Sequence, residues 1–180
     1  LWAWGHNPDG RLGDGTNTSK NVPTQESTGS TNWSSIAAGW FHTVGLKSDG
    51  TIWGWGETQN GKLGVERSGP GYTGYSFNVP TQESTGATNW STISTGRWHT
   101  AALKSDGTLW AWGLGWLGDG TTTGRTTPTE IGSATNWAAI AAGSRHTVGL
   151  KSDAILTIAT KTPLPVPTPA PTQTPEPTPI

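Results

Sequence analysis

Ala37-Ala38-Gly39-Trp40-Phe41-His42-Thr43-Val44-Gly45-Leu46-Lys47-Ser48-Asp49-Gly50-Thr51-Ile52-Trp53-Gly54-Trp55-Gly56 carries two alternating segments on either side of one turn. Alternation puts His42, Val44 and Leu46 on one side of a pleated strand, and Trp53 and Trp55 on one side of the next. Between them, Ser48-Asp49-Gly50 supplies the Asp-Gly pair that favours the positive φ values of a tight hairpin. Upstream, Trp33-Ser34-Ser35-Ile36 runs into the small residues Ala37, Ala38 and Gly39 as a further strand. Val22-Pro23-Thr24-Gln25 reads as a short outer strand, because Pro is tolerated only at sheet edges and strand starts.

The same set returns. Trp2-Ala3-Trp4-Gly5, Trp53-Gly54-Trp55-Gly56 and Trp110-Ala111-Trp112-Gly113 are three copies of one element, spaced by 51 and 57 residues. Asn-Trp recurs at Trp33, Trp90 and Trp137, each followed nine residues later by His42, His99 or His146. A period near 50 marks stacked supersecondary units. Four short strands per period is the content of a β-propeller blade. The expected fold is therefore all-β: about three blades of four short strands, a partial propeller, over residues 1–158. The repeats divide as 1–51, 52–108 and 109–158, with small residues near a central axis and paired Trp between blades.

Residues 159–180 change character, alternating Pro with Thr without hydrophobic periodicity. They read as a disordered, semi-rigid Pro/Thr-rich linker. Just before it, the third copy departs from Gly-Thr-Leu-Trp to Ala154-Ile155-Leu156-Thr157-Ile158. The last blade is expected either to end on a degenerate strand or to borrow Leu1–Gly5 by ring closure.

Composition removes several function classes. A net charge of −1 provides no field toward nucleic acid or anionic membrane. Cys is absent, which excludes thiolate chemistry and disulfides. No apolar run approaches the roughly 20 residues needed to span a bilayer. The chain has no Met and opens on Leu1 within a repeat, so it reads as a piece of a larger protein. Sparse charge, no Cys and the Pro/Thr spacer suggest a secreted or surface-exposed bacterial protein.

The motifs resemble the repeat of the regulator of chromosome condensation family. Leu12-Gly13-Asp14-Gly15-Thr16 and Leu117-Gly118-Asp119-Gly120-Thr121 match its first element. Ala37-Ala38-Gly39 and Ala141-Ala142-Gly143, with His42 and His146, match a later one. The resemblance spans about residues 1–153 and implies a seven-bladed propeller, a rigid disc presenting loops to another protein. Known members include a nuclear exchange factor that binds chromatin, a plant ultraviolet-B sensor and a bacterial inhibitor of β-lactamases. Three copies fall short of the four to eight blades of closed propellers. The chain is thus expected to lack upstream blades, to self-associate, or to stand as an open array.

No catalytic constellation stands outside the repeats, and no cofactor or metal is expected. His42, His99 and His146 occupy one position in three blades, which suits a structural hydrogen bond from imidazole to backbone better than a shared zinc ion. Asp14, Asp49, Asp106 and Asp119 are Asp-Gly turn residues. The repeat is broken by an insertion within Val65–Asn78 that holds both Tyr and one of the two Phe of the chain. Tyr with Gly and Ser on a loop supplies rigid amphipathic contact area on an adaptable backbone. Tyr72, Tyr75 and Phe77 are therefore candidate partner-binding residues, followed by Trp40 and Trp98 on the turns before His, and Trp116 in a shortened turn. The expected function is a non-catalytic protein-interaction platform. An accessory carbohydrate-binding module and an exchange regulator of a small GTPase are the alternatives.

Overall fold

The computed structural model describes residues 1–67 and 69–152. The Pro/Thr-rich stretch, the altered junction at residues 154–158 and the end of the third repeat lie outside the described residues. Twelve strands follow one another: β1 (Trp2–Gly5), β2 (Lys20–Gln25), β3 (Trp33–Ala38), β4 (His42–Lys47), β5 (Ile52–Glu57), β6 (Ser76–Gln82), β7 (Trp90–Thr95), β8 (His99–Lys104), β9 (Leu109–Gly113), β10 (Arg125–Glu130), β11 (Trp137–Ala142) and β12 (Thr147–Lys151). A single 3₁₀ turn, Gln59–Gly61, is the only helical element among the described residues.

Two antiparallel four-stranded meanders form, β3-β4-β5-β6 and β7-β8-β9-β10. They are flanked by two-stranded sheets, β1-β2 at one end and β11-β12 at the other. Each complete sheet starts at Asn-Trp rather than at Trp-x-Trp-Gly, so it straddles a boundary of the sequence repeats. Among the described residues β1 pairs with β2 and β12 with β11, and Leu1–Gly5 is not paired with the last sheet.

The hairpins between second and third strands, β4 with β5 and β8 with β9, turn through the Asp-Gly pairs. Gly50 takes φ +77 while Asp49 stays out of the left-handed region, so the loop is a turn followed by one left-handed residue, not a pair. The Asp49 carboxylate accepts hydrogen bonds from Thr51 N (3.0 Å) and Thr51 Oγ1 (2.6 Å), which locks the turn. A Cβ at Gly50 would lie 2.1 Å from the Thr88 carbonyl oxygen. That proximity reflects docking between sheets: Trp90 N donates to Gly50 O at 3.1 Å, and Trp137 N to Gly107 O at 3.1 Å.

Sheets pack through the apolar sides that alternation defines. Val44, Leu46 and Ile52 of one sheet bury against Trp90, Ile93, Ala102 and Trp112 of the next. The step is repeated by Leu103, Leu109 and Ala111, which bury against Trp137 and Ile140. Trp55 and Trp112 are fully buried, whereas their strand partners Trp53 and Trp110 are half-buried. The outer two each lie under a lysine, Lys47 Nζ 3.9 Å from the Trp53 ring centre and Lys104 Nζ 3.8 Å from that of Trp110. First strands lie side by side, β7 packing on β3 and β11 on β7.

A further repeated lock holds the Asn-Trp tryptophans. The buried Glu83 carboxylate accepts from Trp90 Nε1 (3.2 Å), and Glu26 accepts from Trp33 Nε1 (3.3 Å). In the third copy Ile131 stands at this position, and the buried Trp137 Nε1 has no hydrogen-bond partner among the described residues. The third unit is thus apolar where the first two are charged.

Candidate functional site

Antiparallel meanders place alternate connections at opposite ends of the sheets. The turns before His42, His99 and His146 share one end with the long loops 6–19, 58–75 and 114–124. Five of the six candidate residues lie on these connections, and Phe77 lies just inside β6. The structure separates them by burial. Trp40, Tyr75 and Trp116 are 55%, 84% and 65% exposed. Trp98 and Tyr72 are half-buried.

Phe77 is a correction to the expectation from sequence. It is fully buried in a cluster with Trp55, Leu63 and Val65. Tyr72 leans on it at 5.1 Å between ring centres, and its hydroxyl donates to Gly74 O at 2.8 Å. Phe77 is apolar and sits on a strand, so core packing claims it and only Tyr75 of this loop projects fully. The histidines also differ from the expected backbone bond. His42 Nε2 meets Thr100 Oγ1 of the next sheet at 3.3 Å, and His99 Nε2 meets Thr147 Oγ1 at 2.9 Å. The Thr100 hydroxyl donates to Lys62 O at 2.7 Å, so it accepts from His42 Nε2–H, which fixes that tautomer. Burial, then the Lys62 and His99 charges, push the His42 pKa down to about 3. The imidazole is a neutral strut. Gly39 is required beside it, since a Cβ there would meet His42 Cε1 at 2.4 Å.

Around Trp40 and Trp98 the turns interleave cations with aromatic rings. Arg97 Cζ lies 4.0 Å from the Trp40 ring centre and 4.8 Å from that of Trp98. Phe41 lies 5.5 Å from Trp98 and 6.3 Å from Trp40, with Arg11 Cζ 5.2 Å from its ring centre. Lys62 Nζ, fully buried and paired with Glu57, sits 4.9 Å from the Trp98 ring centre. Burial lowers the Lys62 pKa even though Glu57 opposes the shift. Arg11 pairs with Asp9 and donates through Nη1 to Trp40 O at 2.8 Å. Each cation over a ring contributes about 0.5–2 kcal/mol, more as water is excluded. The cluster therefore holds Trp40 and Arg97 rigidly at the surface. Arg97 forms no ion pair among the described residues, and exposed Arg145 lies beside Trp98, Leu114 and Trp116.

The roles of Arg11, Lys62 and Arg97 were not singled out from sequence. A signal was present for the first two, since a basic residue precedes Leu-Gly in both Arg11-Leu12-Gly13 and Lys62-Leu63-Gly64. Trp116 takes that place in the third copy and adopts φ +65, a left-handed conformation rare outside Gly and Asn. Trp116→Gly is expected to raise stability by up to about 1 kcal/mol by removing that strain. The same variant should lose partner capture. Thermal unfolding and a binding assay on one sample check both.

Among the described residues no group of three or more His, Asp or Glu is arranged to hold a metal ion. No helix there is long and apolar enough to cross a membrane.

The chain matches the Regulator of chromosome condensation (RCC1) repeat over residues 1–46 and 106–150, and a second form of that repeat over 33–62 and 90–115. It is 32% identical over 135 residues to the Ultraviolet-B receptor UVR8 of Arabidopsis thaliana, covering 73% of this chain and 30% of that protein. It is 32% identical over 142 residues to the RCC1 domain-containing protein RUG3, mitochondrial, of the same plant, covering 73% and 31%. The Homo sapiens Probable E3 ubiquitin-protein ligase HERC4 is 32% identical over 137 residues, covering 73% of this chain and 12% of the ligase. Prp20p of Saccharomyces cerevisiae superposes with a TM-score of 0.72 at 19% identity, over 85% of this chain and 40% of that one. The chain thus spans about a third or less of the curated relatives it matches.

Proposed function

This chain belongs to the regulator of chromosome condensation repeat family, and on that premise we propose that it is a non-catalytic protein-interaction module. Its contact surface is the sheet end that carries Trp40, Arg97, Trp98 and Trp116, with Tyr75 on the adjoining loop. The carrying observation is the rigid stack of Arg97 between Trp40 and Trp98, 4.0 and 4.8 Å from their ring centres. Trp, Tyr and Arg dominate binding hot spots because they desolvate large areas at small entropic cost. The same architecture binds proteins elsewhere: Prp20p was studied for binding to Gsp1p and histones, and Kap60 was solved bound to it. The parent setting we favour is a secreted or surface-exposed bacterial protein. That reading rests on the low charge, the absence of Cys and the Pro/Thr stretch. Recovery of the protein from the culture medium or cell surface, rather than the cytosol, checks it.

Quantitative capture from extracts of the source organism tests the surface. Proteins recovered by the wild-type chain and by Ser133→Arg, at the opposite end of the sheets, are expected to fall by at least roughly tenfold with Trp40→Ala/Arg97→Ala. Equal recovery by all three chains would remove this face from the function. Binding on a glycan array, abolished by Tyr72→Ala, would favour the carbohydrate alternative. Accelerated nucleotide release from a small GTPase would favour the exchange reading.

A further inference from the structure

The end of the sheets that carries Trp40 gathers three cations around one pair of rings. Arg11 Cζ, Lys62 Nζ and Arg97 Cζ lie 5.2, 5.8 and 6.0 Å from the ring centre of Phe41, and the last two also lie over Trp98. Two of the three have carboxylates: Asp9 pairs with Arg11, and Glu57 with Lys62. Arg97 has none among the described residues. Its Nε is shielded from solvent and has no hydrogen-bond partner there either. Arg11 Nε is likewise shielded, but the terminal nitrogens of Arg11 reach Asp9 and Trp40 O. Arg67 and Arg125 direct donors to Thr58 O and to Asp119. Buried donors are ordinarily paired, so the unpaired guanidinium of Arg97 calls for an acceptor from outside.

We infer that the partner of this face is an acidic protein segment, a reading that rests on the contact surface proposed above. The segment sets one Asp or Glu carboxylate against the guanidinium of Arg97 and lays a neighbouring apolar side chain on Trp40. A guanidinium presents five N–H donors in a planar fork that matches both oxygens of a carboxylate. The rings of Trp40 and Trp98, 4.0 and 4.8 Å from Arg97 Cζ, hold that fork in place but offer it no oxygen. A cation fixed in this way loses little further rotamer freedom when a carboxylate arrives. Beside two indoles, where water is partly excluded, the pairing is also stronger than it would be in open solvent.

Charge and position both fit this occupant. The cluster keeps an excess cation on a chain whose net charge is −1. The opposite end of the sheets carries the exposed carboxylates of Asp49 and Asp106 on its hairpin turns. An acidic segment is therefore drawn to the Trp40 end and repelled from the other, which sets its orientation. Arg97 is also flanked on both sides. Trp40 of the preceding sheet lies under it, and Ser144 O of the following turn accepts from its backbone N at 3.1 Å. Trp40 remains 55% exposed, so it keeps open area for an apolar neighbour of the carboxylate. A phosphate polymer fits less well, because its affinity comes from many cations placed along its backbone. Here Asp9 and Glu57 already neutralise two of the three.

Titration calorimetry of the full chain with a short synthetic peptide that carries Glu on either side of Leu tests the pairing. The peptide is expected to bind at least roughly tenfold more tightly than the same peptide with Gln for Glu. Arg97→Lys keeps the charge but loses the fork, and should weaken the Glu peptide by roughly tenfold as well. Arg67→Lys, the same exchange at the same end but outside the cluster, should leave it unchanged. Trp40→Ala should cost less affinity in Arg97→Lys than in the wild type, because the indole acts partly through the guanidinium it holds. The wild type gives an answer that needs no variant: raising salt from about 0.05 M to about 0.5 M should weaken the Glu peptide several-fold and spare the Gln peptide. No binding of the Glu peptide, equal binding of the Gln peptide, an Arg97→Lys chain that binds as the wild type does, or tighter binding of oligothymidylate overturns the proposal. Each of these leaves the interaction surface standing. That surface fails separately, when Trp40→Ala/Arg97→Ala captures protein as the wild type does.

Discussion

Trp55→Ala should lower the free energy of unfolding by about 3–5 kcal/mol, measured as a fall in the denaturant midpoint. Trp55 has no solvent exposure and lies 5.7 Å from Trp33 between ring centres. It fills the junction of β1-β2 with the first complete sheet, where Leu1 and Phe77 join the same cluster. Its Nε1 also donates to Arg11 O at 2.9 Å. Truncation thus opens a cavity and removes a hydrogen bond that crosses between sheets. The Arg11 carbonyl keeps the Thr43 hydroxyl, so the loss is mainly one of packing. Trp116→Ala, at an exposed indole that retains the same backbone strain, should stay within about 0.5 kcal/mol. Similar losses for the two variants would show that the sheet junction is not the core described here.

Acid should unfold the protein through its histidines before its carboxylates. In the unfolded chain His42 takes up a proton near its ordinary value of 6.5, whereas the folded protein withholds it until about pH 3. Below pH 6.5 the unfolded state therefore binds more protons. The contribution of neutral His42 to stability is complete above 6.5, falls by about 1.4 kcal/mol per pH unit below it, and is exhausted near pH 3. His99 is shifted in the same direction, by burial first and then by His146, and adds to the slope. Glu26 enters lower down. Burial would raise its pKa, but hydrogen bonds from Thr28, Trp33 and Ser30 outweigh burial and hold it below 4.5. Its contribution disappears as pH falls below that value, which steepens the decline. Stability followed from pH 7 to 4.5 should lose about one proton's worth of slope in His42→Gln. An unchanged slope would mean that the imidazole is hydrated in the folded state.

Much of this architecture was legible because the repeat carries its own instructions. Alternation in His42–Leu46 and Ile52–Trp55 identified strands that the structure pairs directly, and Asp49-Gly50 marked the turn between them. The phase of the sheets was less legible. Repeats counted from Trp-x-Trp-Gly are equally periodic if started at Asn-Trp, and only the breaks in pairing between β2 and β3, β6 and β7, and β10 and β11 distinguish the two. The candidate surface was read in part. Trp40, Trp98, Trp116, Tyr72 and Tyr75 were found as breaks in the pattern. Phe77 resembled them in sequence, yet its place on β6 carries it inward. Arg97 gains its meaning only from Trp40, 57 positions earlier on the preceding sheet, as Trp98 has its counterpart in Phe41. The Glu83 lock had a signal in the repeated Gln-Glu-Ser-Thr-Gly of residues 25–29 and 82–86, and its absence in the third copy was visible as Ile131.

The amino-acid sequence by itself determined the repeating unit, its strands and turns, and the apolar side that each strand must bury. These depend on periodicity and on backbone preferences that act over a few residues. The tertiary structure decided how the sheets pack on one another, and which Trp are buried and which are presented. Those outcomes depend on contacts between residues about 50 positions apart. Every copy encodes the same local preferences, and it is the neighbouring sheet that makes Trp55 and Trp112 core.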